Sequence, residues 1–444
     1  MKKGLLCIQM VGGFLLIRSC CQVPTPQQDP PAGFYAYHTD LNQGGEPFNK
    51  YKDLVVVLGE GKRLEFSRGT GYCPRWVTPK GTYAVNEFFP GKDQDFNLDY
   101  TYVRLLNSNG EEIVVHWRYI PEIGQINAII DSLDPVNIYG LQAAVHEIFF
   151  ISKDGTVHRE MRDTRKTRRE DWLNPATVTR QKLLLKDQGI EHGEIEWGKK
   201  GPILPRPAVA GNPVKATTVR DGLLGIWTFD EGMQPHVDQV FESVNHTACP
   251  IEGSMSLFKK GVSGTALAFD GYYTGIRLPS GHLFSEDPGS LTVESWVALD
   301  SYPYNDAAVV HQSTGFGADG FFLGVDPYGH VVFRVEGDEI KSRSRLKYGE
   351  WAHIGGIFSN GKLGVVINGI IENEAGTETS YVSLPDTDLL IGRNNEKERC
   401  TDYVRDFDQN IKYIYSIQGL VDEVRIFGTA LSGDQIAASY RTFK

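Results

Sequence analysis

Short apolar runs that change polarity at every second residue, separated by Asn-Gly and Asp-Gly pairs, recur through most of this chain. In "TYVRLLNSNGEEIVVHWRYI" and "HEIFFISKDGTVHREM" the pairs Asn109-Gly110 and Asp154-Gly155 stand between such runs. A period of two places successive side chains on opposite faces of a strand, and Asn-Gly and Asp-Gly tolerate the left-handed backbone of tight hairpins. Asn360-Gly361 and Asn368-Gly369 repeat the signal. With 48 glycines and 22 prolines, the sequence predicts an all-β protein of short antiparallel strands. At 444 residues it exceeds one ordinary core, so two β-sandwich domains are expected. The stretch "KKGPILPRPAVAGNPVK" carries four prolines and little periodicity, and marks residues 199–220 as a linker between domains at 33–198 and 221–444. Near the end, Ser432 and Gln435 have capping-box spacing, which predicts one short C-terminal helix.

A net charge of −11 opposes nucleic-acid binding, which needs a basic footprint. The densest positive stretch, "REMRDTRKTRRED", also carries four acids and reads as a solvated loop. At the N-terminus, Lys2 and Lys3 precede an apolar run from Gly4 to Ile17, too short to span a bilayer. With "RSCC" behind it, the segment resembles a bacterial lipoprotein signal. The resemblance implies a signal peptide at 1–19, lipidation of Cys20 and a cell-envelope location in which the membrane is met only through that anchor. Residues 20–32, "CCQVPTPQQDPPA" with its prolines, read as a flexible tether. Cys21, Cys73, Cys249 and Cys400 remain; an exported chain can form disulfides, but these four allow three pairings and have no framework spacing.

Two stretches hold candidate chemistry. In "EIVVHWRYI" a strand places Val114, His116 and Arg118 on one face and Val115, Trp117 and Tyr119 on the other. The polar face could bracket a sugar, or Arg118 could pair with an acid such as Glu147. In "RGTGYCPRWVTPKG", Tyr72, Arg75 and Trp76 offer flat faces and a forked donor for an acidic glycan. The same loop also reads as a sheet corner, with Trp76 as its plug. A lyase acting on a uronic-acid glycan would need a group to neutralise the carboxylate (Arg75 or Arg118), a base (His116 or His146) and an acid (Tyr72 or Tyr119). A glycosidase would need two carboxylates, for which Glu87 and Glu147 are available without a spacing that selects them.

After the linker, "GIWTFDEG", "GTALAFDGYYTGIRLP", "LTVESWVAL", "EWAHIGGIFSNGKLGVVINGI", "LLIGR" and "GLVDEVRIFGTALSGDQI" follow in an order that resembles the laminin-G-like jelly roll of the concanavalin A-like lectin and glucanase superfamily. The resemblance implies two packed antiparallel sheets and a binding role more often than a catalytic one. It implies a structural calcium at Asp230 and Asp422, with Asp238 as a helper, because related domains often hold one there. Tyr272, Tyr273, Tyr302 and Tyr304 are the candidate sugar platform of this half. "NHT" at Asn245 matches a glycosylation acceptor, which a bacterial export route would not use. In the N-terminal half, "LEFSRGTGYCPRWVTPKG", "VVHWRY" and "SKDGTVHRE" loosely resemble the start of large secreted ulvan-lyase-type proteins. The leading expectation is an envelope lipoprotein that binds polysaccharide, acidic or neutral. The alternatives are a lyase or hydrolase with its site in the N-terminal sandwich, and an adhesin that meets envelope proteins.

Overall fold

In the computed structural model the described residues are 33–39, 41, 53–59, 61–85, 102–108, 110–119, 145–163, 177–198, 222–233, 237–252, 258–271, 274–284, 288–303, 306–314, 319–359, 361–395 and 416–444. The signal segment, Cys20, Cys21, the linker at 199–220 and Cys400 lie outside them.

The N-terminal half is two antiparallel meanders. Strands β1 (Tyr35–Thr39), β2 (Asp53–Val57), β3 (Arg63–Phe66), β4 (Pro74–Thr78) and β5 (Gly81–Ala84) pair in chain order. Strands β6 (Tyr102–Ser108), β7 (Glu112–Tyr119), β8 (Val145–Ser152), β9 (Thr156–Asp163), β10 (Thr177–Lys186) and β11 (Gly189–Gly198) do the same in a six-stranded sheet. Their apolar faces meet: Leu54, Val56, Leu64 and Phe66 share a core with Val115, Trp117, Phe149 and Ile151. Phe66 sets its ring edge-on to Phe149 at 5.4 Å. Polar seams close the corners, where Trp117 Nε1 donates to the Gly71 carbonyl and Trp76 Nε1 to the Lys186 carbonyl.

The C-terminal half contains β12 (Leu223–Trp227), β13 (Gln239–Glu242), β14 (Thr247–Glu252), β15 (Phe258–Lys260), β16 (Thr265–Asp270), β17 (Gly275–Leu278), β18 (Leu291–Leu299) and β19 (Ala307–Gln312). It continues through β20 (Phe321–Val325), β21 (His330–Val335), β22 (Asp338–Arg345), β23 (Trp351–Ser359), β24 (Lys362–Ile367), β25 (Ile370–Gly376), β26 (Leu389–Ile391) and β27 (Gln418–Phe427), and ends in helix α1 (Gly433–Thr442). One sheet runs β15-β16-β27-β18-β23-β24-β25 with β12 also on β27, and the other β13-β14-β17-β26-β19-β20-β21-β22. These non-sequential neighbours give the expected jelly roll.

Helix α1 starts where its capping box predicts: Ser432 Oγ accepts from Gln435 N, and Gln435 Oε1 accepts from Ser432 N. It covers the outer face of the first jelly-roll sheet, stacking Tyr440 on Trp296 at 5.4 Å. The turn signals divide by loop length. Asn368 and Gly369 both have positive φ, 50° and 79°, and join Ile367 directly to Ile370 in a two-residue hairpin. Ser108 pairs with Ile113, so the connection that holds Gly110 is longer than two residues; Asn109 lies outside the described residues.

The two halves touch. Arg104 Nη1 donates to Gln418 Oε1 at 2.9 Å, His38 meets Tyr328 edge-on at 5.2 Å, and Tyr348 packs on Leu106, Val114 and Ile148.

Candidate functional site

Strand register decides which polar residues of the N-terminal half share a face. Across the six-stranded sheet Arg104 pairs with His116, His116 with Ile148, Arg118 with His146, and His146 with Arg162. All these side chains are on the outward face, as the period of two in "VVHWRY" predicts. His116 Nε2 lies 2.8 Å from His146 Nδ1, with the rings stacked, and Arg104 Nη2 is 3.1 Å from His116 Nδ1. Glu160 Oε2 accepts from Arg162 Nη2 at 2.5 Å while its Oε1 accepts from Arg180. The array is dry: His116, Arg118 and His146 are fully buried and Arg162 nearly so. Burial and the neighbouring Arg104 hold the His116 pKa well below the usual imidazole value, so it is neutral at ordinary pH.

Register puts Arg118 and Glu147 on opposite faces of the sheet. Glu147 stands opposite Trp117, on the inward face, where its carboxylate accepts from Tyr119 Oη at 2.8 Å and from Arg159 at 2.6 and 2.9 Å. Adjacent strand residues cannot serve one site from the same side, so Tyr119 and Arg118 are divided by the sheet.

The "RGTGYCPRWVTPKG" loop is a built corner with one exposed arginine. A short 3-10 turn at Arg68–Thr70 leads into Gly71 and Tyr72, both left-handed, with φ of 58° and 62°. Asp53 fastens the turn by accepting from Arg68 N. Tyr72 and Trp76 are buried in the core, so neither presents a face to a sugar, whereas Arg75 is exposed on β4. Among the described residues Arg75 has no hydrogen-bond or ion-pair partner for its side chain. The lyase set is therefore split: His116, His146 and Arg118 come together, Tyr72 lies in the core, and Arg75 lies on the far side of the sandwich. Sequence reasoning passed over Arg104 and took Glu160 and Arg162, within "REMRDTRKTRRED", for part of a solvated loop; its described residues 159–163 are instead the end of β9, where Arg159, Glu160 and Arg162 are buried because acids and arginines pair within the sheet. Burial of Cys73, with Glu147 nearby, pushes its thiol up to about 12; Cys73 and Cys249 are both free.

In the jelly roll, Tyr302 is a core residue, not a surface platform: it is 2% exposed and donates to the Leu346 carbonyl at 2.5 Å. Tyr272, Tyr273 and Tyr304 lie outside the described residues. Asp422 is buried, accepting from Ser263 N and Glu423 N, and Asp230 accepts from Thr265 N. Burial, then the charges of Glu423 and Asp230, raise the Asp422 pKa well above the carboxylate range. Asp238 is exposed, and among the described residues no three metal-capable side chains converge.

Residues 270–437 match the family model described as the concanavalin A-like lectin/glucanases superfamily. The C-terminal half carries a concanavalin A-like domain. The match lies wholly within that half, and no curated protein matches the chain. Among solved structures, domain 4 of AbnA, an extracellular arabinanase from Geobacillus stearothermophilus in complex with arabinotriose, is similar at 19% identity and TM-score 0.37, over 49% of this chain and 98% of that one. The binding domain of Paraclostridial Mosquitocidal Protein 1 is similar at 12% identity and TM-score 0.37, over 50% of this chain and 52% of that one. The binding domain of Botulinum Neurotoxin DC in complex with SialylT follows at 9% identity and TM-score 0.34, again over 50% and 52%. The chain spans about half the length of the last two.

Proposed function

We propose that this protein binds polysaccharide at the cell envelope, with the concanavalin A-like domain as the recognition module and the N-terminal sandwich fixed against it. The single observation that carries the reading is the family match over residues 270–437. Binding is favoured over catalysis because the grouped candidates His116, His146 and Arg118 are sealed from solvent and bonded within a sheet face that abuts the jelly roll. A neutral imidazole without access to substrate is a poor general base. On this reading Cys20 carries a lipid anchor, and the protein serves glycan capture during polysaccharide utilisation.

The jelly roll's calcium belongs to the same proposal. Asp230 and Asp422 fit a hard cation in one respect: both carboxyls are raised by burial, and Asp422 also feels the charges of Glu423 and Asp230, which a cation would relieve. A rise in melting temperature with calcium that Asp422→Asn abolishes would support this.

The function itself is tested by incubating the mature protein with acidic and neutral polysaccharides while following both retention and the absorbance of unsaturated products. Retention without product supports the binder; product formation would establish the lyase; neither would return the protein to the adhesin class.

A further inference from the structure

The outward face of the five-stranded sheet forms a second surface of different character. Register places Tyr37, Val55, Glu65, Arg75 and Ala84 in one row, and Tyr35, Val57, Arg63, Val77 and Thr82 in the next. All ten side chains are on the face away from the core. The rings of Tyr35 and Tyr37 lie side by side, centroids 5.9 Å apart and tilted by 30°, so they present neighbouring aromatic faces at the β1 edge. Tyr37 is among the most exposed large apolar side chains described, at 37%. Arg63 Nε donates to Glu65 Oε1 at 2.6 Å, so that cation is already matched. Arg75, on the same row as Tyr37 and Glu65, is exposed and unmatched.

From this geometry we propose that the face is an anionic-glycan subsite, in which Tyr35 and Tyr37 carry sugar rings and Arg75 takes a carboxylate or sulfate in its guanidinium fork. The proposal rests on the polysaccharide-binding reading and deepens it by naming a ligand chemistry and a location outside the jelly roll. Charge decides the occupant. In a chain of net charge −11, Arg75 is exposed and, although Glu65 stands opposite it on the same face, bonds to no acid while Glu65 is held by Arg63, and a neutral ligand would leave it unused. Strand spacing decides the size. Three inter-strand gaps of about 4.8 Å separate β1 from β4, so the platform runs roughly 14 Å from Tyr37 to Arg75 and suits an oligosaccharide segment. Aromatic rings on a rigid sheet give stacking area with little entropy to lose, and Arg75 adds selection for charge.

The test is retention of the full mature chain on polygalacturonate, dextran sulfate and neutral galactan, at low and high salt, for wild type, Arg75→Ala, Tyr37→Ala and Glu65→Gln. Arg75→Ala should weaken anionic retention about fivefold, within the range of an exposed ion pair, and should remove its salt dependence. Tyr37→Ala should weaken the same binding, and Glu65→Gln should strengthen it by leaving Arg63 uncompensated. Galactan retention and melting should stay constant. Whichever anionic probe responds to Arg75 identifies the group it reads. If wild type holds the anionic probes and Arg75→Ala and Tyr37→Ala hold them equally well, or if wild type holds only galactan, the subsite is overturned while the polysaccharide reading stands. A wild type that holds none of the three overturns both.

Discussion

The N-terminal sandwich contains the same ion pair twice. On β3, Arg63 and Glu65 stand two residues apart on an outward face and meet at 2.6 Å; on β9, Glu160 and Arg162 do so at 2.5 Å. The first pair is reached by water, at 40% exposure for the arginine and 15% for the glutamate, whereas the second is nearly dry, at 2% and 8%. Residue types and spacing are equal; what differs is the cover above the sheet and a second arginine, Arg180, on the Glu160 carboxylate. The comparison teaches that a polar stripe on an outward face is a site where water reaches it and a strut where the fold covers it. Desolvated charges must be fully matched, and a fully matched group has little left to offer a ligand.

The largest effect expected is therefore at the dry pair. Glu160→Ala removes the carboxylate that both Arg162 and Arg180 hold, and should cost roughly 3–5 kcal/mol, the range for breaking a buried pair from one side. Denaturant unfolding measures it. A cost below about 1 kcal/mol would mean that the face is wet, and the contrast between the two sheets would collapse.

Titration sharpens the contrast next. Burial lifts the Glu423 carboxyl from 4.5 to about 7 against the pull of Arg425, and Asp422 moves the same way. The folded state then holds this proton more tightly than the unfolded chain, so the contribution is fully present below about pH 4.5 and is lost as pH rises through about 7. For Glu423 alone it amounts to about 3 kcal/mol, at 1.36 kcal/mol per pKa unit. His116 runs the other way: burial and Arg104 lower its pKa, so its contribution is present above pH 6.5 and is lost on acidification. Melting curves from pH 5 to 8 should lose most of their decline between pH 5 and about 7 in Glu423→Gln. A variant that keeps the wild-type slope would remove Glu423 from the account.

The contact between the halves ranks third. Arg104 bonds both to His116 within the array and to Gln418 across to the jelly roll. Cleavage at a protease site engineered into residues 199–220 should leave wild-type fragments associated on a sizing column, and Arg104→Ala should loosen them by about 1–3 kcal/mol, the scale of a hydrogen bond to a charged group. Wild-type fragments that separate at once would show that the jelly roll does not keep this face dry.

Much of this was legible in the chain. Alternation in "EIVVHWRYI" sorted the two faces of β7 correctly, Ser432 and Gln435 located α1, and the ordered C-terminal motifs indicated the jelly roll. Face, however, is not cover. Nothing in a period of two tells whether the polar side meets water or another domain, so His116, His146 and Arg118 read as accessible although Arg104 and Tyr348 tie their face to the jelly roll. Nor does the period fix inter-strand register, which put Glu147 opposite Trp117 and not beside Arg118. Aromatic side chains misled for a related reason. Trp76 and Tyr302 have polar tips that find carbonyl partners, and Tyr72 is wholly buried, so a flat ring in a Gly- and Pro-rich loop proved to be a plug at least as readily as a platform. Tyr35 and Tyr37 drew no notice because two tyrosines on a short edge strand carry no motif.

The smallest effect expected completes the comparison. Glu65→Ala removes the partner of Arg63 just as Glu160→Ala removes that of Arg162, but here water replaces the lost carboxylate at once. An exposed pair of this kind contributes about 0.2–1 kcal/mol, and salt screens it further. Unfolding in low and high salt should therefore show a small loss at low salt that vanishes at high salt, while the Glu160→Ala loss persists in both. Equal salt sensitivity of the two variants would mean that burial does not separate the pairs, and the five-stranded face would lose its standing as the open one. If the contrast holds, the same solvent access that makes Glu65 almost dispensable to the fold is what leaves Arg75 free to meet a ligand.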